Sequence, residues 1–119
     1  MYKYYAHVTR VVDADTLVVS IDLGFNIRIE ETLRLGRINA YETRLGKKTT
    51  ADMKKKGIEA KEFVEKLFEN EKAIEIETTK DVKGKFGRYI AEVWYTLSSK
   101  RINLNSELVQ KGYAVYVEY

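Results

Sequence analysis

Hydrophobic and polar residues alternate along the first third of the chain with the period of two that is typical of β-strands. Three stretches combine this alternation with β-branched and aromatic residues at strand length: residues 4–12, 16–23 and 27–38. The acidic connection Asp13 to Asp15 and the segment Gly24 to Asn26 are suited to the tight turns between such strands. The pattern predicts three consecutive strands, with a bend in the third at Gly36.

A helical period replaces this alternation in the middle of the chain. Charged residues cover one face of the segment, and apolar residues recur on the other at steps of three and four: Ala60, Phe63, Val64, Leu67 and Phe68. This spacing predicts an amphipathic helix from about Asp52 to Asn70, with its apolar stripe facing the core. Residues 39–52 show no period and are predicted to form an exposed loop.

Two further alternating stretches, 73–79 and 88–97, predict a fourth and a fifth strand on either side of a polar turn. Asn103 is a favourable N-cap for a short helix that Gly112 ends, and an extended segment follows. Five strands with a helix between the third and fourth are the arrangement of an OB-fold barrel. The predicted fold is therefore α+β, mainly β: a single domain over residues 1–119, with a five-stranded OB-fold barrel, one long helix and a short C-terminal helix.

Composition excludes several kinds of chemistry. The chain has 119 residues, no cysteine and one histidine, which rules out disulfides, thiolate catalysis and cysteine-based zinc sites. A net charge of +3 mildly favours a polyanionic partner. Residues 1–12 lack the apolar core of a signal peptide, and no segment reaches membrane-spanning length. We therefore expect a cytoplasmic protein without a membrane partner, and we expect it to be a monomer.

The charged residues that remain are suited to phosphodiester hydrolysis. Arg34 and Glu42 lie eight residues apart across the end of the third strand, Arg88 begins the fifth, and Asp13 and Asp15 precede both. A guanidinium binds two phosphate oxygens without losing its proton, and a carboxylate can accept a proton from water. Acidic side chains also hold hard cations. Each residue taken singly is explained by an ion pair or a turn, but their order and spacing together favour a hydrolytic site.

The segments that contain these residues resemble the staphylococcal (micrococcal) nuclease family. The matching segments are spread over nearly the whole length of the chain: 11–16, 33–43, 57–60, 85–88 and 105–112. The resemblance implies an OB barrel with flanking helices. It also implies calcium-dependent, sequence-nonspecific cleavage of DNA and RNA that leaves 3′-phosphate ends.

The resemblance further implies a Ca²⁺ site. Asp15 would be a direct ligand, Asn39 would be a second, and Ala40 would offer its backbone carbonyl. Asn39 stands where the well-studied members of the family carry an aspartate. The amide keeps an oxygen that can bind calcium but removes one negative charge, so we expect a weaker affinity for Ca²⁺.

The same resemblance assigns the catalytic side chains. Arg34 would bind the scissile phosphate, Glu42 would hold the attacking water, and Arg88 would stabilise the transition state and the leaving oxygen. Four basic residues are predicted to contact nucleic acid: Lys85, Lys47, Lys48 and Arg37. For Arg37 the alternative is a surface ion pair on the barrel, and for the lysine-rich loop it is a solvated segment.

Two other functions stay open at this point. The first is an OB-fold module that binds nucleic acid but has lost its metal and its catalysis. The second is a protein-interaction domain that uses the barrel only as a scaffold, because a fold does not dictate a function. The presence of Arg34, Glu42 and Arg88 together favours the nuclease, since bringing these charges together is costly unless a phosphate is bound.

Overall fold

The computed structural model describes residues 2–41, 50–70, 72–78 and 88–117. Within these ranges the chain forms eight strands and two helices. In order they are β1 (Tyr2–Asp13), β2 (Thr16–Asp22), β3 (Arg28–Leu35), β4 (Ile38–Ala40), α1 (Ala51–Leu67), β5 (Ala73–Thr78), β6 (Tyr89–Leu97), β7 (Lys100–Asn103), α2 (Leu104–Gln110) and β8 (Ala114–Tyr116).

Five of the strands close into a barrel. β1 pairs antiparallel with β2 and β5, β2 pairs with β3, and β5 pairs with β6. A parallel pairing of β3 with β6, in which Leu33 lies opposite Tyr89, completes the ring. Because the ring is closed, each of these five strands has a partner strand on both of its edges. This mainly β barrel with two helices confirms the predicted OB-fold class.

The barrel interior is filled by the alternating apolar residues of the strands. Leu17, Leu33 and Val93 are fully buried there, as the period-two pattern requires. Helix α1 adds Ala60 and Val64, both fully buried, and packs against β1. The predicted apolar face of this helix is therefore confirmed. No helix in the described ranges is long and apolar enough to cross a bilayer.

The predicted third strand is wrong at its C-terminal end. β3 ends at Leu35, a turn follows at Gly36 and Arg37, and the short strand β4 then pairs antiparallel with β8. Arg37 has a φ of +67° there, a value uncommon outside glycine, asparagine and aspartate. Glycine at position 36 lets the turn pack closely against β6, because a Cβ there would lie 3.1 Å from a side-chain carbon of Ile90.

The predicted loop over residues 39–52 also begins too early, because Asn39 and Ala40 belong to β4. Strand β4 pairs with a segment more than seventy residues later in the chain, and Asn39 lies opposite Val115. A pairing of this kind leaves no period in the local sequence. The sheet also contains a strand that was not predicted, β7, which pairs antiparallel with β6.

Tyr95 joins β6 to α2 and gives the fold a pH-dependent contact. Its hydroxyl donates a 2.6 Å hydrogen bond to Glu107 Oε1, and its ring packs edge-on against Phe68. Burial and then the Glu107 carboxylate raise the pKa of Tyr95 above its usual value of about 10. Because the neutral form is favoured in the folded state, this stabilisation is complete below about pH 10 and is lost as the pH rises further.

We therefore expect the Tyr95→Phe variant to lose less stability than the wild type on going from about pH 9 to about pH 11. The measurement is the thermal unfolding midpoint across that range. Tyr5→Phe is the matched control, since Tyr5 is two-thirds exposed, and it should keep the wild-type slope. An alkaline slope that is the same in all three proteins would contradict the assignment.

Candidate active site

A polar cleft of about 610 Å³ lies where the β1–β2 turn, the C-terminal end of β3, β4 and the start of β6 come together. It gathers five of the predicted site residues, which the sequence spreads over more than seventy positions. The lining residues are Val12, Asp13, Asp15, Thr16, Arg34, Asn39, Ala40, Tyr41, Lys61 and Arg88.

Asp15 contacts several of the segments that form the cleft. It sits in the two-residue turn between β1 and β2 and is 9% exposed. Its carboxylate accepts hydrogen bonds from the Thr16 hydroxyl (3.1 Å) and from the backbone N–H of Ala40 (2.9 Å). Its own carbonyl accepts a bond from the N–H of Leu35. Asp15 therefore fixes the relative positions of β2, β3 and β4.

The guanidinium of Arg34 lies directly against this carboxylate. Arg34 Nη2 is 3.2 Å from Asp15 Oδ2 and also donates to Asn39 Oδ1, while Nη1 donates to the carbonyl of Leu35 at 2.8 Å. Arg34 is only 8% exposed. A charge buried to this extent is costly unless it is paired and hydrogen-bonded, as it is here. The hydrogen bonds hold the guanidinium in one orientation at the wall of the cleft.

The closing strand pair brings Arg88 to the same place. β3 and β6 are parallel with Arg34 opposite Ile90, so Arg88, just before β6, lies beside the same end of the barrel. Its Nη1 is 3.5 Å from the hydroxyl of Thr16, the neighbour of Asp15. Two guanidiniums from adjacent strands thus converge on one cleft.

The oxygens of Asp15 and Asn39 meet the chemical requirements of a hard cation. Both oxygens contact the same nitrogen, Nη2 of Arg34, so they lie close enough together to contact a single cation. One carboxylate and one amide oxygen are donors that Ca²⁺ accepts, although they carry only a single formal charge. Within the described ranges no group of three or more histidine and acidic side chains is placed to hold a metal.

Arg37 is held on the outside of the β3–β4 turn. It forms a two-pronged ion pair with Glu92, at 3.0 and 2.6 Å, and its guanidinium lies 5.8 Å from the ring centroid of Tyr116. The hydrogen bond to Glu92 raises the pKa of Arg37. Arg37 does not belong to the cleft lining and makes the surface ion pair given above as its alternative role. Its contact with nucleic acid stays a prediction.

A buried asparagine fastens this turn to the barrel. Asn105, which has no exposed surface, donates from Nδ2 to the carbonyls of Gly36 and Ala91 and to Glu92 Oε2, and accepts from the N–H of Val93. These bonds join α2 and β6 to the turn that leads into β4. No role was predicted for Asn105 from the sequence, although it begins one of the segments that carry the family resemblance.

Four of the predicted residues lie outside the described ranges: Glu42, Lys47, Lys48 and Lys85. Their roles stay predictions. Four lining residues, by contrast, were given no site role from the sequence: Val12, Thr16, Tyr41 and Lys61. Tyr41 follows β4 directly, and Lys61 belongs to the charged face of α1, which the helical pattern alone assigns to solvent.

A closed OB barrel with two arginines and an aspartate at one polar cleft fits the class of proteins that bind nucleic acid or cleave phosphodiester bonds. Comparison with known proteins gives the family. A family model described as staphylococcal nuclease homologue matches residues 32–119, and the chain belongs to this family. The resemblance identified from the sequence is thereby confirmed, and the family indicates a nuclease-like or nucleic-acid-binding function.

A curated relative extends the match toward the N-terminus. An uncharacterized protein of Methanocaldococcus jannaschii is 36% identical over 124 residues, which cover 96% of this chain and 60% of the relative. The chain thus spans about 60% of the length of the curated relative it matches. The family match itself begins at residue 32, so the placement of Asp15 at the site rests on the geometry of the cleft.

Proposed function

We propose that this chain is a metal-dependent, sequence-nonspecific nuclease that hydrolyses phosphodiester bonds of DNA and RNA to 3′-phosphate ends. One observation carries the proposal: Asp15, Arg34 and Arg88, which lie on three different segments, converge on a single polar cleft. A phosphodiester in hydrolysis develops negative charge on its oxygens, and fixed guanidiniums near that charge lower the barrier.

Each side chain has a separate task in this reaction. Arg34 binds the non-bridging oxygens of the scissile phosphate, and its bonds to Asp15 and Leu35 keep it oriented before substrate arrives. Arg88 stabilises the charge that grows on the phosphate and on the leaving oxygen. Glu42, two residues after Ala40 in the sequence, orients the attacking water or accepts its proton.

Asp15 and Asn39, with the backbone carbonyl of Ala40, are the groups that would hold Ca²⁺. A bound hard cation supplies electrostatic stabilisation of the developing charge on phosphate. Both side chains contact Nη2 of Arg34, so the groups that would hold the cation lie beside the guanidinium proposed to bind the phosphate.

Analysis of the cleavage products tests the proposal. Single-stranded DNA and RNA of mixed sequence are incubated with the protein and calcium, and the new ends are examined for a terminal phosphate. Products with 3′-phosphates at many different sequences support the nuclease. Fragments with 3′-hydroxyls would show a different reaction.

The second candidate is a nucleic-acid-binding module without catalysis. Two features favour it. Asn39 supplies an amide in place of a carboxylate, and the guanidinium of Arg34 already contacts both proposed ligands. Such a protein would retain single-stranded DNA in a gel-shift experiment without cutting it at millimolar calcium. Retention together with calcium-dependent cutting would exclude it.

Asn39→Asp is expected to strengthen calcium binding by on the order of tenfold, because it returns one negative charge to the proposed ligand set. Isothermal titration calorimetry measures the affinity directly, without reference to activity. Asn26→Asp is the control, since it makes the same charge change at the exposed β2–β3 turn. An unchanged calcium affinity in Asn39→Asp would mean that Asn39 is not a ligand.

A further inference from the structure

Lys61 lines the cleft, but the mechanism proposed above assigns it no role. It follows the fully buried Ala60 on α1, and its partly buried side chain lines the cleft with Arg34 and Arg88. Arg34 is bound to Asp15, and Arg88 lies against Thr16. Across the described part of the chain, the side chain of Lys61 forms no hydrogen bond or ion pair, which distinguishes it from the two arginines.

The charges of the cleft indicate an anion against Lys61. Arg34 and Asp15 form an ion pair and largely cancel each other. Among the described lining residues, Lys61 therefore adds a positive charge to a cleft that already carries Arg88, with Asp13 as the other carboxylate. The described lining therefore carries a net positive charge, which favours a bound anion.

We propose that Lys61 binds the phosphate adjacent to the scissile one, so that the cleft favours polynucleotide chains over fragments with a single phosphate. This rests on the nucleic-acid-cleaving function proposed above. Arg34 and Arg88 come from neighbouring barrel strands and meet beside the Asp15 turn, a place for one phosphate. Lys61 approaches from α1, on a different wall. The cleft, at about 610 Å³, has the size of sites for ligands with several groups.

The chemistry of lysine determines what this contact does. An ammonium is a compact charge with three rotatable donors on a flexible stem, so it attracts a phosphate without fixing its geometry as an arginine fork does. Such a contact acts equally on the bound substrate and on the transition state. Lys61 should therefore affect KM and salt dependence, and leave kcat nearly unchanged.

The test compares Lys61→Gln with Lys66→Gln, which removes the same charge from an exposed position on α1 outside the cleft lining. Fluorescence anisotropy, with chelator present to prevent cleavage, gives the affinities of a labelled tetranucleotide and a dinucleotide of thymidine. We expect Lys61→Gln to weaken tetranucleotide binding by on the order of tenfold and to leave dinucleotide binding nearly unchanged. It should also reduce the dependence of log Kd on log salt by about 0.7.

The control variant Lys66→Gln should bind both ligands as the wild type does, and Lys61→Arg should restore most of the tetranucleotide affinity. Equal losses for the two ligands, or no loss, would overturn the role of Lys61. A lowered thermal midpoint without selective loss of tetranucleotide binding would also overturn it, because Lys61 would then support the fold. If the wild type binds neither ligand but cleaves DNA with calcium, the role of Lys61 fails and the proposed function stands; if it neither binds nor cleaves, the proposed function itself fails.

Discussion

Arg88→Lys should lower kcat for cleavage of single-stranded DNA by on the order of 10³-fold, with little change in affinity. Lysine keeps the positive charge but loses the planar fork that binds two oxygens at once. Arg88 lies beside Thr16, the neighbour of the buried Asp15, where the proposed mechanism places the leaving oxygen. The loss should therefore fall on the chemical step and spare substrate binding.

The matched control is Arg101→Lys. Arg101 pairs with Glu75 at 3.0 Å and lies over the Trp94 ring at 4.4 Å, outside the cleft. Single-turnover cleavage and binding in the presence of chelator are measured for both variants. Wild-type cleavage by Arg88→Lys, or an equal loss in Arg101→Lys, would remove Arg88 from the proposed mechanism.

Asn105→Ala should reduce the free energy of unfolding by about 3–5 kcal/mol. The fully buried amide holds the Val93 N–H, the carbonyls of Gly36 and Ala91, and Glu92. Alanine restores none of these bonds and leaves a cavity too apolar to satisfy them. Because Gly36 begins the turn into β4, the loss should also loosen Asn39 and reduce cleavage in molecules that remain folded.

Chemical denaturation gives the free energy of unfolding, and Asn70→Ala is the control. Asn70 is exposed just beyond α1, so its replacement should change stability by less than about 0.5 kcal/mol. A loss below about 1 kcal/mol for Asn105→Ala would mean that water or local relaxation replaces the buried bonds.

The parts of the fold that could be predicted are those with a local period. The apolar stripe of α1 was identified from its spacing because Ala60 and Val64 face the core on one side of a regular helix. β4 was missed because it is three residues long and is defined by its pairing with β8. Without a partner strand in view, Asn39 and Ala40 carry no sign of extended structure.

The candidate site divides in the same way. The types and order of Asp15, Arg34 and Arg88 suggested phosphodiester chemistry, but their meeting depends on the parallel β3–β6 pair, which no local pattern encodes. Lys61 could not be found from sequence because its place on α1 looks like an ordinary solvated position. Only the packing of α1 against β1 brings this side chain to the cleft.

The rate of single-stranded DNA cleavage by the purified wild-type protein, measured across a calcium titration and again with chelator, tests the central claim most directly. Cleavage that rises with calcium and disappears with chelator is the predicted result, with a midpoint shifted to high calcium by Asn39. DNA that stays bound but intact at millimolar calcium would contradict the account. The cleft would then belong to a binding module that shares the fold and the arginines of a nuclease.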